Sequence, residues 1–451
     1  MKLNTVMLVD ANNAAPAPHG AMAPETVQSL VCDERGRWRL GSDAAGYVRN
    51  GELITAPQDL GATGPTVSLN WVEQWTAPLR YEKYASNPVY GPQQSGAWDT
   101  WTNGVSIVPT ADGKTYRMYY AGRKGAGIGL AEAAIANPLS WKEHPASPVL
   151  VPREDNWEGN QINQPRVVKV TDMHWRMYYT GWGFPGPDKP KALGSPWAMN
   201  IAESFDGGTI WKRLRDEPIM ERGGAGSPDD GAACVPMVIR VGDEWMMWYT
   251  AGQIAPDGQL NVHLCLATSP DGVWWEKYAG NPVLTDQAGD TPHIFASRCY
   301  VRHDDGVFRM WYSYSMGQPS YRIRYAESLD GIHWERAPIA PVLNASPTPA
   351  WDDMRVEYPE VQVVDGAFRL WFCGNEFGSV GYATGVIETG VDVSVRSGDT
   401  AIPDTAWSPW NEVRRHGSQP SRRYIQVRAA LWTRNSGLSP ALNTVELNIQ
   451  D

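Results

Sequence analysis

In a chain that repeats itself, the polar residues that break the repeat are the ones freest to do chemistry. Glu357 lies two residues before Pro359, where corresponding stretches carry Gly104, Asn163 and Cys234. Asp230 has Thr100, Gly159 and Asp353 as counterparts. His293 and Arg298 interrupt what should be an apolar strand start, and "NQINQPR" gathers Asn160, Gln161, Asn163, Gln164 and Arg166 within seven residues. Two carboxyl groups held apart on facing walls can divide proton donation from the work of a base. Asp99 and Asp230 are the candidates for the base and Glu357 for the acid, with Tyr358 beside it to exclude water and raise its pKa. For each carboxylate the competing reading is an ordinary ion pair or strand cap.

Such groups need elements to aim them, and the chain writes one element five times. "YRMYYAG" (116–122) returns as "WRMYYTG" (175–181), "WMMWYTA" (245–251), "FRMWYSY" (308–314) and "FRLWFCG" (368–374). A short apolar strand precedes each copy, and another follows it, as in "IGLAEA", "MNIAES" and "IRYAES". Asp-Gly turns at Asp206, Asp271 and Asp330 then lead through a Trp into a last strand ending in "NPVL" or its like. Four strands over about sixty residues is the period of a propeller or array. The fifth unit lacks its last strand, and "LRYEKYASNPVYGP" (79–92) supplies it from before the first unit. Ring closure of this kind leaves no open sheet edge. The expected fold is therefore all-β, with a five-bladed β-propeller over residues 76–386.

Segments 1–75 and 387–451 carry further alternating strands, among them "GELITAPQDLG", "VSLNW", "VDVSVRSG" and "RYIQVRAAL". Neither segment closes two sheets alone. Together they read as a jelly-roll-like β-sandwich in which the propeller is inserted, or which flanks it.

One acidic column, Asp99, Glu158, Asp229, Asp290 and Asp352, recurs in every unit, and a residue needed five times points to scaffold. The hairpin aspartates Asp206, Asp271 and Asp330 read as scaffold more strongly still. Net charge is −11 with scattered basic residues, which argues against a nucleic-acid partner. No apolar run reaches the length of a membrane span. The five cysteines are widely spaced and read as reduced thiols, with no metal-ligand spacing. The first residues, "MKLNTVMLVDANNAAP", lack the apolar core of a signal peptide, leaving a cytoplasmic or a particle-associated protein as the expectation.

With five repeated units, "MYYAG", the "AES-DG--W" turn and "NPVL", residues 76–386 resemble the five-bladed propeller glycosidase superfamily of arabinanases, β-fructosidases, levansucrases and β-mannoside phosphorylases. The resemblance implies acidic residues at the inner ends of the first strands, facing a central funnel that takes an oligo- or polysaccharide. It implies a glycoside hydrolase, on a furanoside or related glycan, in which Asp99, Asp230 and Glu357 do paired-carboxylate work. Trp101, Asn163, Gln164, Arg166, Trp182, His293 and Arg298 would hold the sugar. Trp182 lies with Phe184 and Trp197 on an enlarged loop, "GWGFPGPDKPKALGSPWAMN" (181–200). The chain departs from the superfamily at Val105, which stands before Ser106 where an Asp before a Pro is expected. No organic cofactor is implied, and a channel cation such as calcium enters by analogy only. Two other readings stay open: a glycan-binding or receptor-binding module without catalysis, and a glycoside phosphorylase using Arg166 or Arg298 for phosphate.

Overall fold

A computed structural model describes residues 4–8, 24–61, 64–91, 101–122, 125–153, 156–159, 161–183, 197–285, 296–315, 320–375 and 378–450. The described residues are organised almost entirely as antiparallel β-sheet. Each repeated unit forms one four-stranded sheet, entered by the strands Asn103–Pro109, Gln161–Lys169, Ala232–Val241, Ser297–Asp304 and Glu357–Val364 of units one to five. These first strands lie against one another in cyclic order, and that of unit five also lies against that of unit one. The outer strand of unit five is Tyr81–Lys83, whose Tyr81 sits opposite Gly385.

Aromatic second strands bind the sheets face to face. Their central residues, Tyr119, Tyr178, Trp248, Trp311 and Trp371, are buried. Three of them reach into the Asp-Gly turn of the next unit: the Tyr119 hydroxyl donates to the Gly208 carbonyl at 2.6 Å, Tyr178 to Gly272 at 2.9 Å, and the Trp248 indole to Gly331 at 2.9 Å. All three glycines have positive φ, and a Cβ on Gly208 would stand 2.1 Å from the Tyr119 oxygen. Only glycine allows both the backbone conformation and the close approach. The aspartates of these turns accept backbone N–H groups two to four residues on; Asp271 takes Val273 at 2.8 Å and Trp274 at 2.9 Å. Burial works to raise these carboxyls, but side-chain bonds from Ser204 to Asp206 and His333 to Asp330, together with the backbone bonds, hold Asp206, Asp271 and Asp330 below the usual carboxylate range.

In units two, three and five the acidic column ties the first strand to the outer one. Glu158 is buried between Arg153 (3.1 Å) and Arg213, and accepts the Tyr179 hydroxyl at 2.8 Å. Asp229 pairs with Lys277 at 2.5 Å and accepts Tyr249 at 3.0 Å, while Asp352 pairs with Lys83 at 2.5 Å. Asp99 and Asp290 lie outside the described residues.

At the centre, every first strand carries a bulge. The bulged residues, Gly104, Gln164, Val235, Arg298 and Tyr358, all have φ between +46° and +59°. Their N–H groups are caught by the neighbouring unit: Val235 by Thr180 (2.8 Å), Arg298 by Thr250 (3.0 Å) and Tyr358 by Ser313 (3.2 Å). The Cys373 sulfur accepts from Gly104, so unit five holds unit one by the same device. Unit one offers only Ala121 at this place, opposite Asn103.

Below the bulges the channel is filled. Arg166 of unit two crosses to Glu360 of unit five at 3.3 Å, donates to the Val238 carbonyl of unit three, and lies 5.0 Å over the Tyr300 ring of unit four. Gln362 joins Glu360 (3.2 Å) to the Ile107 carbonyl of unit one (2.9 Å). One polar cluster therefore touches all five units. Burial raises the Glu360 carboxyl to about 7, with Arg166 drawing it back.

The flanking segments build two six-stranded sheets. Thr66–Gln74 pairs with Ala441–Gln450 in one, and Asn50–Thr55 with Tyr424–Thr433 in the other. Their facing apolar residues, including Leu53, Leu69, Val393, Val427 and Leu447, share one core. Arg37 pairs with Glu335 at 2.8 Å and the Trp75 N–H donates to buried Glu327 at 2.8 Å, fixing these sheets against unit four.

Two outcomes are expected. Asp271→Ala should cost about 1 kcal/mol, one or two local hydrogen bonds, in chemical denaturation; an unchanged midpoint would refute the capping role. The folded Glu360 holds its proton up to about 7, against about 4.3 in the unfolded chain. Its contribution to stability is thus greatest at low pH and is lost as pH rises through 7. Relative to wild type, the Tm of Glu360→Gln should rise between pH 5 and pH 8 in calorimetry, and a pH-independent difference would overturn the assignment.

Candidate functional site

The bulges decide which side chains reach the channel. An extra residue in a strand bends it and re-aims its neighbours, and here it turns Gln164, Arg298 and Tyr358 toward a common centre. Gly104 and Val235 contribute no polar group, so the polar wall belongs to units two, four and five. A cavity of about 30 Å³ lies between this tier and the Arg166–Glu360 tier, lined by Gln164, Arg298, Tyr358 and Glu360 among others. That is room for one or two waters.

Glu357 precedes the bulge of unit five and is fully buried. Neither carboxyl oxygen has a hydrogen-bond partner among the described residues, and its nearest charge is the Arg298 guanidinium at 3.4 Å. Burial raises its pKa, while Arg298 and Arg355 pull it down. The net direction is upward from an ordinary carboxyl, the direction a general acid needs. Burial also works against the Arg298 charge, but Tyr358, Tyr321 and Glu357 outweigh it and hold the guanidinium firmly protonated. Arg298 lies 4.8 Å over the Tyr321 ring and 5.0 Å over that of Tyr358, and donates to Ser297 at 3.2 Å. From the opposite wall Gln164 donates to the Tyr358 hydroxyl at 3.3 Å, while its own carbonyl oxygen is buried with no partner among the described residues. Unmet acceptors on Glu357 and Gln164 beside a fixed cation suit a ligand that donates hydroxyl hydrogens.

Among the sequence candidates, Glu357, Arg298 and Gln164 come together here. Asn163 is buried one residue before the bulge of unit two, opposite Thr180. Register shows the counterparts of Glu357 to be Asn103, Asn163, Cys234 and Ser297. The expected counterpart Gly104 is off by one, because Gly104 is itself the bulged residue. Arg166 sits in the lower tier, where its guanidinium serves the five-unit cluster. Asp230 does not join Glu357. It lies ahead of the first strand of unit three, with one oxygen taken by the Gly226 N–H and the other by Ile254, both at 2.8 Å. It caps two loops, the alternative reading for any candidate carboxylate. Trp101 is half-buried just before the first strand of unit one. Trp182 stacks on Trp197 with ring centres 5.6 Å apart, so the enlarged loop is pinned at its two ends by its own aromatics. Asp99, His293 and Phe184 lie outside the described residues. No cluster of metal-ligating side chains occurs among the described residues.

Glu360 and the rings of Tyr321 and Tyr300 are additions that sequence reading missed. A signal for Glu360 was present: "EYPEVQVV" places a second acid in a strand that is otherwise mostly apolar.

No protein-family model matches the chain. "Uncharacterized protein Rv1502" of Mycobacterium tuberculosis is 27% identical over 307 residues, covering 66% of this chain and 97% of the relative. "Uncharacterized protein MT1551" of the same species is 26% identical over the same shares. Among solved structures, a complex of BT0996 with RGII superposes with a TM-score of 0.54 at 19% identity, over 68% of this protein and 92% of that one. Another, named only as a glycoside hydrolase, gives 0.54 at 20% identity, over the same shares. A glycosyl hydrolase from Bacteroides ovatus gives 0.50 at 15%, over 70% and 96%. At such identities the likeness is one of fold, and the protein shares the all-β architecture of glycoside hydrolase structures.

Proposed function

We propose that the five sheets are the blades of a five-bladed β-propeller inserted in a β-sandwich, and that the protein is a glycoside hydrolase. The observation that carries the reading is Glu357: a carboxyl group wholly buried at the channel, neither oxygen hydrogen-bonded among the described residues, with burial pushing its pKa upward. Glu357 is the general acid. It gives its proton to the leaving oxygen of a glycosidic bond, and Arg298 then stabilises the carboxylate left behind. Gln164 and Tyr358 hold sugar hydroxyls.

Asp99 is the base of this proposal. Opposite an alanine of the third strand, units two to five place Arg213, Lys277, Arg336 and Lys83 on their outer strands, and unit one places Glu143. The residue type that clamps Glu158, Asp229 and Asp352 is thus missing from that position of unit one's outer strand, where Lys142 sits opposite Glu132 instead. A phosphorylase is less favoured, since Arg166 is engaged by Glu360 and Arg298 by Glu357.

One observation favours a second reading. The described counterparts of Glu357 are all neutral, so a single carboxyl stands at this level, which suits a funnel that holds glycan without cleaving it. Reducing-end release from a panel of furanoside and pyranoside glycans, with and without phosphate, separates the readings. Glu357→Gln should cut turnover by roughly a hundredfold or more, in line with general acid catalysis, with Tm little changed. Full activity in that variant would overturn the acid role, and glycan binding without release by wild type would establish the binding-only reading.

A further inference from the structure

Unit three carries a groove of about 670 Å³ between the turn at Val241–Glu244 and the segment 268–276, away from the channel. Asp243, Glu244, Thr268, Ser269, Trp274 and Glu276 line it. Trp274 is 65% exposed, a large aromatic left in water with no core to fill. Its backbone N–H caps Asp271, a task that does not depend on its side chain. At the same place in the Asp-Gly turn unit two has Ile210 and unit four His333. The Arg215 guanidinium of unit two stands 4.1 Å over the Trp274 ring, and the arginine's own carbonyl is held by Asn200. The cation steadies the indole over one face, and Trp274 itself lines the groove.

We propose that this groove is a second carbohydrate site, taking a neutral saccharide. An indole face suits the C–H face of a sugar ring, and the carboxylates of Glu244 and Glu276 and the hydroxyl of Thr268 are acceptors for its hydroxyl groups. Charge decides against an acidic ligand. Three carboxylates line the groove, Arg240 beside them pairs with Asp243 at 3.3 Å, and Arg215 is engaged by the indole. A polyanion would be repelled, whereas a neutral polyhydroxyl ring meets no such cost.

The site stands apart from the channel, so its test uses binding and leaves turnover out. In a Glu357→Gln background, native electrophoresis through gels containing arabinan, xylan or galactan should retard the protein in at least one, and a gel of dextran sulfate should not. Adding Trp274→Ala should weaken that retardation by roughly tenfold, the scale of losing a tryptophan anchor. Trp274→Phe should retain part of it, and Ile210→Ala in the preceding unit should leave it unchanged. Equal retardation of the parent and Trp274→Ala, or no retardation of the parent in any neutral gel, would overturn the proposal.

Discussion

One residue of each first strand is held left-handed at the centre of the five-sheet body, and in four of the five units its N–H group is caught by the neighbouring sheet. For a non-glycine residue that backbone conformation costs about 1–3 kcal/mol, and a hydrogen bond returns about 1. The catches at Thr180, Thr250, Ser313 and Cys373 therefore cannot hold the bulges by themselves. The larger contribution comes from the buried aromatic second strands, whose stacking sets how closely adjacent sheets approach. Once that approach is fixed, the first strands converge on the axis, and the bulge lets each shift its side chains past the crowding. Val235 marks how strongly the surroundings impose this, since a β-branched residue is poorly suited to positive φ.

The same constraint explains the two polar tiers. Converging strands bring charged side chains out of water, which is costly unless each finds a partner. In the lower tier the cost is met: Arg166, Glu360 and Gln362 bond to one another and to carbonyls of units three and one. In the upper tier it is met only in part, because Glu357 has a charge beside it but no hydrogen bond among the described residues. A complete network rigidifies, and an unpaired buried polar group is costly. The lower tier is thus a closed floor, and the upper one keeps the unmet polar groups on which the proposed function rests.

Repetition sorts the remaining carboxylates. Glu158, Asp229 and Asp352 are clamped by basic residues on outer strands or nearby loops, and Asp206, Asp271 and Asp330 close turns. These acids serve each sheet separately, which is why they recur. Glu357 and Glu360 serve the whole, and neither has an acidic counterpart among the described residues of another unit's first strand.

Much of this was legible in the residues alone. Five aromatic strands, their Asp-Gly turns and a missing last strand predict the sheets and the pairing of Tyr81–Lys83 with unit five, because strand patterning and turn chemistry are local properties. Glu357, Arg298 and Gln164 stand out as breaks in a repeat, which needs only alignment. Distance was not legible. Asp230 and Glu357 look equivalent as acids that break the repeat, yet one is drawn to two backbone N–H groups and the other is buried beside Arg298. The bulge shifts register by one residue in each first strand, and that shift follows from packing between sheets, with no side-chain type to announce it. Which polar group faces which across the channel was therefore settled only by the tertiary structure, where residues 164 and 358, or 166 and 360, come within hydrogen-bonding reach.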